Sequence, residues 1–144
     1  MERFLVGLDP SPRAPDVLAA AKTLAQRAGG RLILFRAVGI PTEIPPEAYA
    51  MSPDSLAKLL QEQARRALEA TAATLPSELV LGVTVATGTP WQAICAAAEE
   101  HDADMIVIGS HGYSGLDHLL GTTAAKVVNH ATRSVLVVRA KPAP

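Results

Sequence analysis

The chain reads as an α/β protein, an open doubly wound sheet of five parallel strands with helices on both faces. Three observations predict this. Five short runs rich in leucine, isoleucine and valine alternate with alanine-rich stretches of helical spacing. The runs do not alternate apolar with polar residues, which is the pattern of strands buried on both faces. The hydrophobic content is 49 %, yet aromatic residues supply only 3 %. Such an aliphatic core suits helices packed on a parallel sheet better than an aromatic-rich all-β domain. At 144 residues, the span 1–144 suits one domain with a substantial core.

Each element follows from local signals. Phe4 to Leu8 is a buried strand ending at Asp9-Pro10. From Pro12 to about Ala28, Val17, Leu18, Ala21, Leu24 and Ala25 recur at helical spacing, and Gly29-Gly30 stops the helix. Leu32 to Val38 is a second strand. Gly39 to Pro53 carries Pro41, Pro45, Pro46 and Pro53 and reads as a loop. Asp54 or Ser55 can cap a long helix running to about Thr74, with Leu56, Leu60, Ala64 and Leu68 inward.

Leu79 to Ala86 is the third strand, followed by the turn Thr87-Gly88-Thr89-Pro90. Thr89 as N-cap and Pro90 at the first helical position start a helix to about His101. Met105 to Ile108 is the fourth strand and Gly109 to Gly121 a glycine-punctuated loop. Thr123 to Ala131 is a helix, and Ser134 to Arg139 the last strand. If that apolar strand lies at a sheet edge, it needs a partner.

Composition removes several functions. Lysine and arginine number 13 against 14 acids, a formal net charge of -1, so no basic field favours nucleic acid or an anionic membrane. No stretch approaches the roughly 20 apolar residues of a membrane span, and Met1-Glu2-Arg3-Phe4 opens no signal-peptide core; the expected compartment is the cytoplasm. The single cysteine, Cys95, has no internal disulfide partner and sits in an apolar run, as a small buried side chain does.

In an open parallel sheet a ligand sits beyond the carboxyl ends of the strands, at the switch point. Asp9, Val38, Gly88 and Gly109 fall at such ends. The segment from Gly109 through Gly112 to Gly121-Thr122-Thr123 follows a strand and opens a helix. Gly109 and Gly112 there allow positive φ and close backbone approach to an anion. Gly121 delivers a helix whose first N–H groups lack intrahelical partners and favour a phosphate, with the Thr122 and Thr123 hydroxyls in reach. Lys126, placed in the first turn, opposes the helix dipole unless an anion is bound; a plain solvated lysine is the competing reading. For the loop itself the competing reading is a connection whose glycines only make turns.

Other chemistries fit less well. Ser110, His111 and Asp117 are triad residue types, but Ser110 lies in no GxSxG elbow, and adjacent Ser110 and His111 point apart. His101, His111, His118 and His130 show no metal-ligand spacing. A phosphoacceptor receiver needs further acids at the strand ends, where Ala86-Thr87 offers none. No residue is evidently placed to activate water, so hydrolysis is expected to be slow or absent.

The segment Gly109 to Arg139, with Lys126-Val-Val-Asn-His-Ala131 and Ser134-Val-Leu-Val-Val-Arg139, resembles the C-terminal signature of the universal stress protein family. Phe4-Leu-Val-Gly-Leu-Asp9-Pro-Ser11 and the Gly88-Thr89-Pro90 turn are similar to that family too. The resemblance implies strand order 3-2-1-4-5, a homodimer paired through Ser134 to Arg139, and an ATP site. In the family's ATP-binding branch the pattern is G-x2-G-x9-G-(S/T). Gly109, Gly112, Gly121 and Thr122 match it, although eight rather than nine residues separate Gly112 from Gly121, as in a short-spaced subgroup.

Carried over, Asp9 would accept a hydrogen bond from the adenine or ribose side, and Ala37 and Val38 would line the adenine slot. Ile108 and Gly109 would flank the ribose, while Gly112, Gly121, Thr122 and Thr123 would hold phosphates. Mg²⁺ would arrive on the phosphate oxygens. Two readings stay open: an ATP-binding regulatory protein of the stress response, and a dimeric adaptor that binds no nucleotide.

Overall fold

The computed structural model describes residues 2–39, 52–110 and 120–139. The elements run β1 (Arg3–Gly7), α1 (Ala14–Ala28), β2 (Arg31–Val38), α2 (Pro53–Ala72), β3 (Val80–Thr87), α3 (Pro90–Glu100), β4 (Met105–Gly109), α4 (Thr122–His130) and β5 (Ser134–Val138). The strands form one five-stranded sheet in the order β3-β2-β1-β4-β5. Every pairing is parallel: β1 sets Phe4 against Leu32 on one side and against Met105 on the other.

Side chains of a strand alternate between faces, and here both faces are apolar. Phe4, Val6 and Leu8 pack with Val17, Ala21 and Ala25 of α1 and Leu68 of α2. Their neighbour Leu5 turns to the opposite face, joining Ile94, Ala97 and Ala98 of α3 and Ala124 and Val127 of α4. Helices α1 and α2 thus cover one face, α3 and α4 the other. Leu5 and Phe4 are both fully buried, as are Leu32, Leu34, Ile106 and Val107. Two-sided burial is why the strand runs show no polar alternation.

Several boundaries differ from the sequence expectation. Helix α1 starts at Ala14 rather than Pro12, because Ser11 and Pro12 form a turn in which Ala14 N–H donates to Ser11 O at 3.2 Å. The cap of α2 is Ser52, not Asp54 or Ser55. Ser52 is extended, Pro53 follows it, and its Oγ accepts from Ser55 N–H at 3.2 Å. That is the geometry an N-cap requires, with proline in the first turn. Leu79 belongs to a short 3-10 turn, Ser77–Leu79, before β3, and α4 begins one residue early, at Thr122.

The order places the switch point between β1 and β4. From β1 the chain leaves into α1 on one face; from β4 it leads to α4 on the other. With α1 and α4 on opposite faces, a crevice lies between them above the strand ends.

Candidate functional site

A cleft of about 360 Å³ opens at that crevice, within the size range of small-molecule sites. Asp9, Ala37, Ile108, Gly109 and Thr123 line it together. Four separate chain segments therefore converge where the strand-end argument places a ligand. Val38, Gly121 and Thr122 do not line it. Val38 follows Ala37 and so turns to the other face of β2, while Gly121 and Thr122 lie at the start of α4 beside Thr123. Gly112 lies outside the described residues, as do His111, Asp117 and His118.

Each wall is fixed by backbone bonds. Leu8 N–H donates to Phe35 O at 2.8 Å, tying the β1 end to β2. Asp9 Oδ1 accepts from Ser11 N–H at 3.0 Å, the turn-closing role open to an aspartate at a strand end. Its second oxygen has no partner among the described residues and can accept from a ligand. On the far wall Ser110 N–H donates to Val138 O at 2.9 Å, and Gly121 N–H to Ser110 O at 2.8 Å. This bridge brings the start of α4 to the end of β4. Gly121, the N-cap of α4, has no side chain to cap it. Among the described residues, no side chain holds the first-turn N–H groups of this helix start, beside Thr123.

The reason for glycine at 109 differs from expectation. Positive φ among the described glycines occurs at Gly29 and Gly88, with φ 120° at Gly88, and not at Gly109. Instead a Cβ at 109 would approach Val17 Cγ2 to 3.2 Å. The missing side chain lets β4 end directly under the first turn of α1 and keeps the cleft floor open.

Lys126 is also placed differently. With α4 starting at Thr122, it lies beyond the first turn and does not line the cleft. Its Nζ sits 5.4 Å from the centre of the Trp91 ring, and Trp91 stacks on His130 at 4.7 Å. The cation serves a contact between α3 and α4, worth about 0.5–1 kcal/mol at an exposed site.

Among the described residues, the charged ones on the cleft wall are Asp9 and two arginines, Arg13 and Arg36. Sequence reasoning missed both arginines. Arg36 could have been found as a lone charge inside the apolar run Leu32-Ile-Leu-Phe-Arg-Ala-Val38. Its Nε–H donates to Leu8 O at 3.1 Å, which ties the guanidinium to the β1 end.

Ser110 is only 2 % exposed, which makes it a poor nucleophile for any external substrate. Among the described residues no group of three His, Cys, Asp or Glu is placed to hold a metal ion. No described helix is long and apolar enough to cross a membrane. Cys95 is half-buried, and burial, then the nearby Glu99 carboxylate, pushes its thiol pKa up. It is therefore a thiol at neutral pH, not a poised thiolate.

Comparison with known proteins agrees with this architecture. The universal stress protein family matches residues 1–139. Universal stress protein Sll1388 of Synechocystis is 30% identical over 149 residues, covering 95% of this chain and 97% of that protein. The solved structure of universal stress protein UspA from Lactobacillus plantarum is 27% identical with a TM-score of 0.73, covering 96% of this chain and 97% of that one. A universal stress protein from Archaeoglobus fulgidus, solved in complex with dAMP, shares the fold at 22% identity and a TM-score of 0.59, covering 95% and 97%. With the strand order, the two-faced core and the cleft at the switch point, these matches show that the chain belongs to the universal stress protein family.

Proposed function

We propose that this protein is a single-domain, ATP-binding regulator of the stress response that holds its nucleotide in the cleft at the strand ends. The observation that carries this reading is the convergence of Asp9, Ala37, Ile108, Gly109 and Thr123 on one cleft beside the uncapped start of α4. Asp9 offers the carboxylate oxygen that no described residue occupies to the N–H or O–H donors of adenosine. Ala37, with Val38 beside it, forms the adenine slot, and Ile108 and Gly109 flank the ribose. Gly121, Thr122 and Thr123 hold phosphates at the α4 N–H groups, and Gly112 completes this set. The cocrystallised dAMP of the Archaeoglobus fulgidus relative supports an adenine nucleotide as the ligand class.

Mg²⁺ comes with the phosphates, whose oxygens suit it, rather than to a protein cage. Hydrolysis is slow or absent, because no described side chain in the cleft is placed to activate water. The cytoplasm, where ATP is plentiful, is the matching compartment.

We further infer a homodimer through β5. That strand ends the sheet, Leu136 on it is 38% exposed, and Val128 on the adjoining α4 is 46% exposed.

Gly121→Val tests the phosphate end. Gly121 has φ -60° and ψ 161°, which valine adopts without strain, so the fold should survive. Its bulk at the helix start should lower ATP affinity at least tenfold, about 1.4 kcal/mol. Unchanged ATP affinity in the folded variant would remove the phosphate assignment. Failure of the unaltered protein to bind any adenine nucleotide would favour the nucleotide-independent adaptor.

A further inference from the structure

We propose that Arg13 is the cation that reads the phosphate tail and makes the cleft prefer a nucleoside polyphosphate to a nucleoside; this rests on the nucleotide reading above. Charge must come from somewhere. Residues 110–121, the stretch expected to wrap the phosphates, contain no lysine or arginine. Lys126 is engaged with Trp91 outside the cleft, and Arg36 is tied through its Nε to Leu8 O at the end of β1. Arg36 also precedes Ala37, at the adenine end of the site.

Arg13 differs from both. It lines the cleft, is half-buried, and its guanidinium has no hydrogen bond or ion pair to a described residue. It occupies the N-cap of α1, where its backbone N–H donates to Ser11 Oγ at 3.3 Å and its carbonyl accepts from Asp16 N–H at 3.1 Å and Val17 N–H at 3.3 Å. A cation at a helix start is opposed by the dipole. Partial burial with no counter-ion among the described residues adds to that cost, and a bound anion reverses both.

Position points the same way. Arg13 precedes Val17 by one helical turn on the same face, and Val17 abuts Gly109 at the end of β4. Arg13 therefore lies on the α1 wall of the cleft near the β4 end, while Thr123 lines it from α4, which covers the opposite face of the sheet. A phosphate tail between them would meet helix N–H groups on one side and a planar guanidinium fork on the other. That fork is suited to bidentate contact with phosphate oxygens.

The test is calorimetric titration of the nucleotide-stripped full chain with ATP, AMP and adenosine, in the unaltered protein, Arg13→Gln and Arg13→Lys. Thermal melts check that each variant is folded. Arg13→Gln should lose tenfold or more for ATP and less than twofold for adenosine, with AMP between. Arg13→Lys should recover part of the ATP affinity, and added salt should weaken ATP binding less in Arg13→Gln than in the unaltered protein. Equal losses for ATP and adenosine would make Arg13 a structural residue and overturn the assignment. So would ATP affinity untouched by Arg13→Gln, which leaves the nucleotide reading standing. Absence of binding to ATP and adenosine alike by the unaltered protein would sink both. Should Arg13→Gln fail to fold, the lysine variant decides: unchanged relative affinity for ATP and adenosine contradicts a bidentate role.

Discussion

Lys126 shows how a residue's neighbours decide its role. At 5.4 Å from the Trp91 ring it joins α3 to α4 and does not line the cleft. Lys126→Ala should therefore cost about 0.5–1 kcal/mol of stability. It should change ATP affinity no more than adenosine affinity. A selective loss of ATP binding, measured by titration, would return Lys126 to the phosphate site. Gly109 teaches a similar lesson from the other side. Its place at the cleft was legible, but the packing reason for a glycine there was not, since the 3.2 Å approach to Val17 depends on how α1 crosses β4. Arg13 and Arg36 escaped notice because sequence shows a charge without showing what it faces.

Among the elements, strands were the most readable, because burial on both faces leaves uninterrupted apolar runs such as Leu32 to Phe35. Helix starts were less so. Around α2, Ser52, Asp54 and Ser55 are all capping residue types, and only the extended backbone at Ser52 selects it. Strand β5 carries a prediction of its own. It pairs with β4 from Ser134 to Val138, and no described residue pairs with its other edge. An open edge with exposed Leu136 and Val128 beside it favours a second copy. Light scattering at micromolar concentration should give a dimer, and Leu136→Arg should shift it to monomer. A monomer for the unaltered protein would show that the edge is protected in another way.

For the whole molecule, the fold class could be read from the order of its elements. The four described helices between five parallel strands leave few right-handed arrangements, although strand order came from family resemblance and not from patterning. The switch point then explains why Asp9, Ala37 and Gly109, distant in sequence, meet at one cleft. Function follows from that meeting, and the central claim is that the cleft takes an adenine nucleotide by its phosphates. Thermal unfolding of stripped protein with and without Mg-ATP, and with adenosine, tests it most directly. Ligand at 100 times its Kd adds about 2.7 kcal/mol, a rise of roughly 5–10 °C for a domain of this size. The account predicts that rise with ATP and a smaller one with adenosine. No shift with any adenine nucleotide would contradict it.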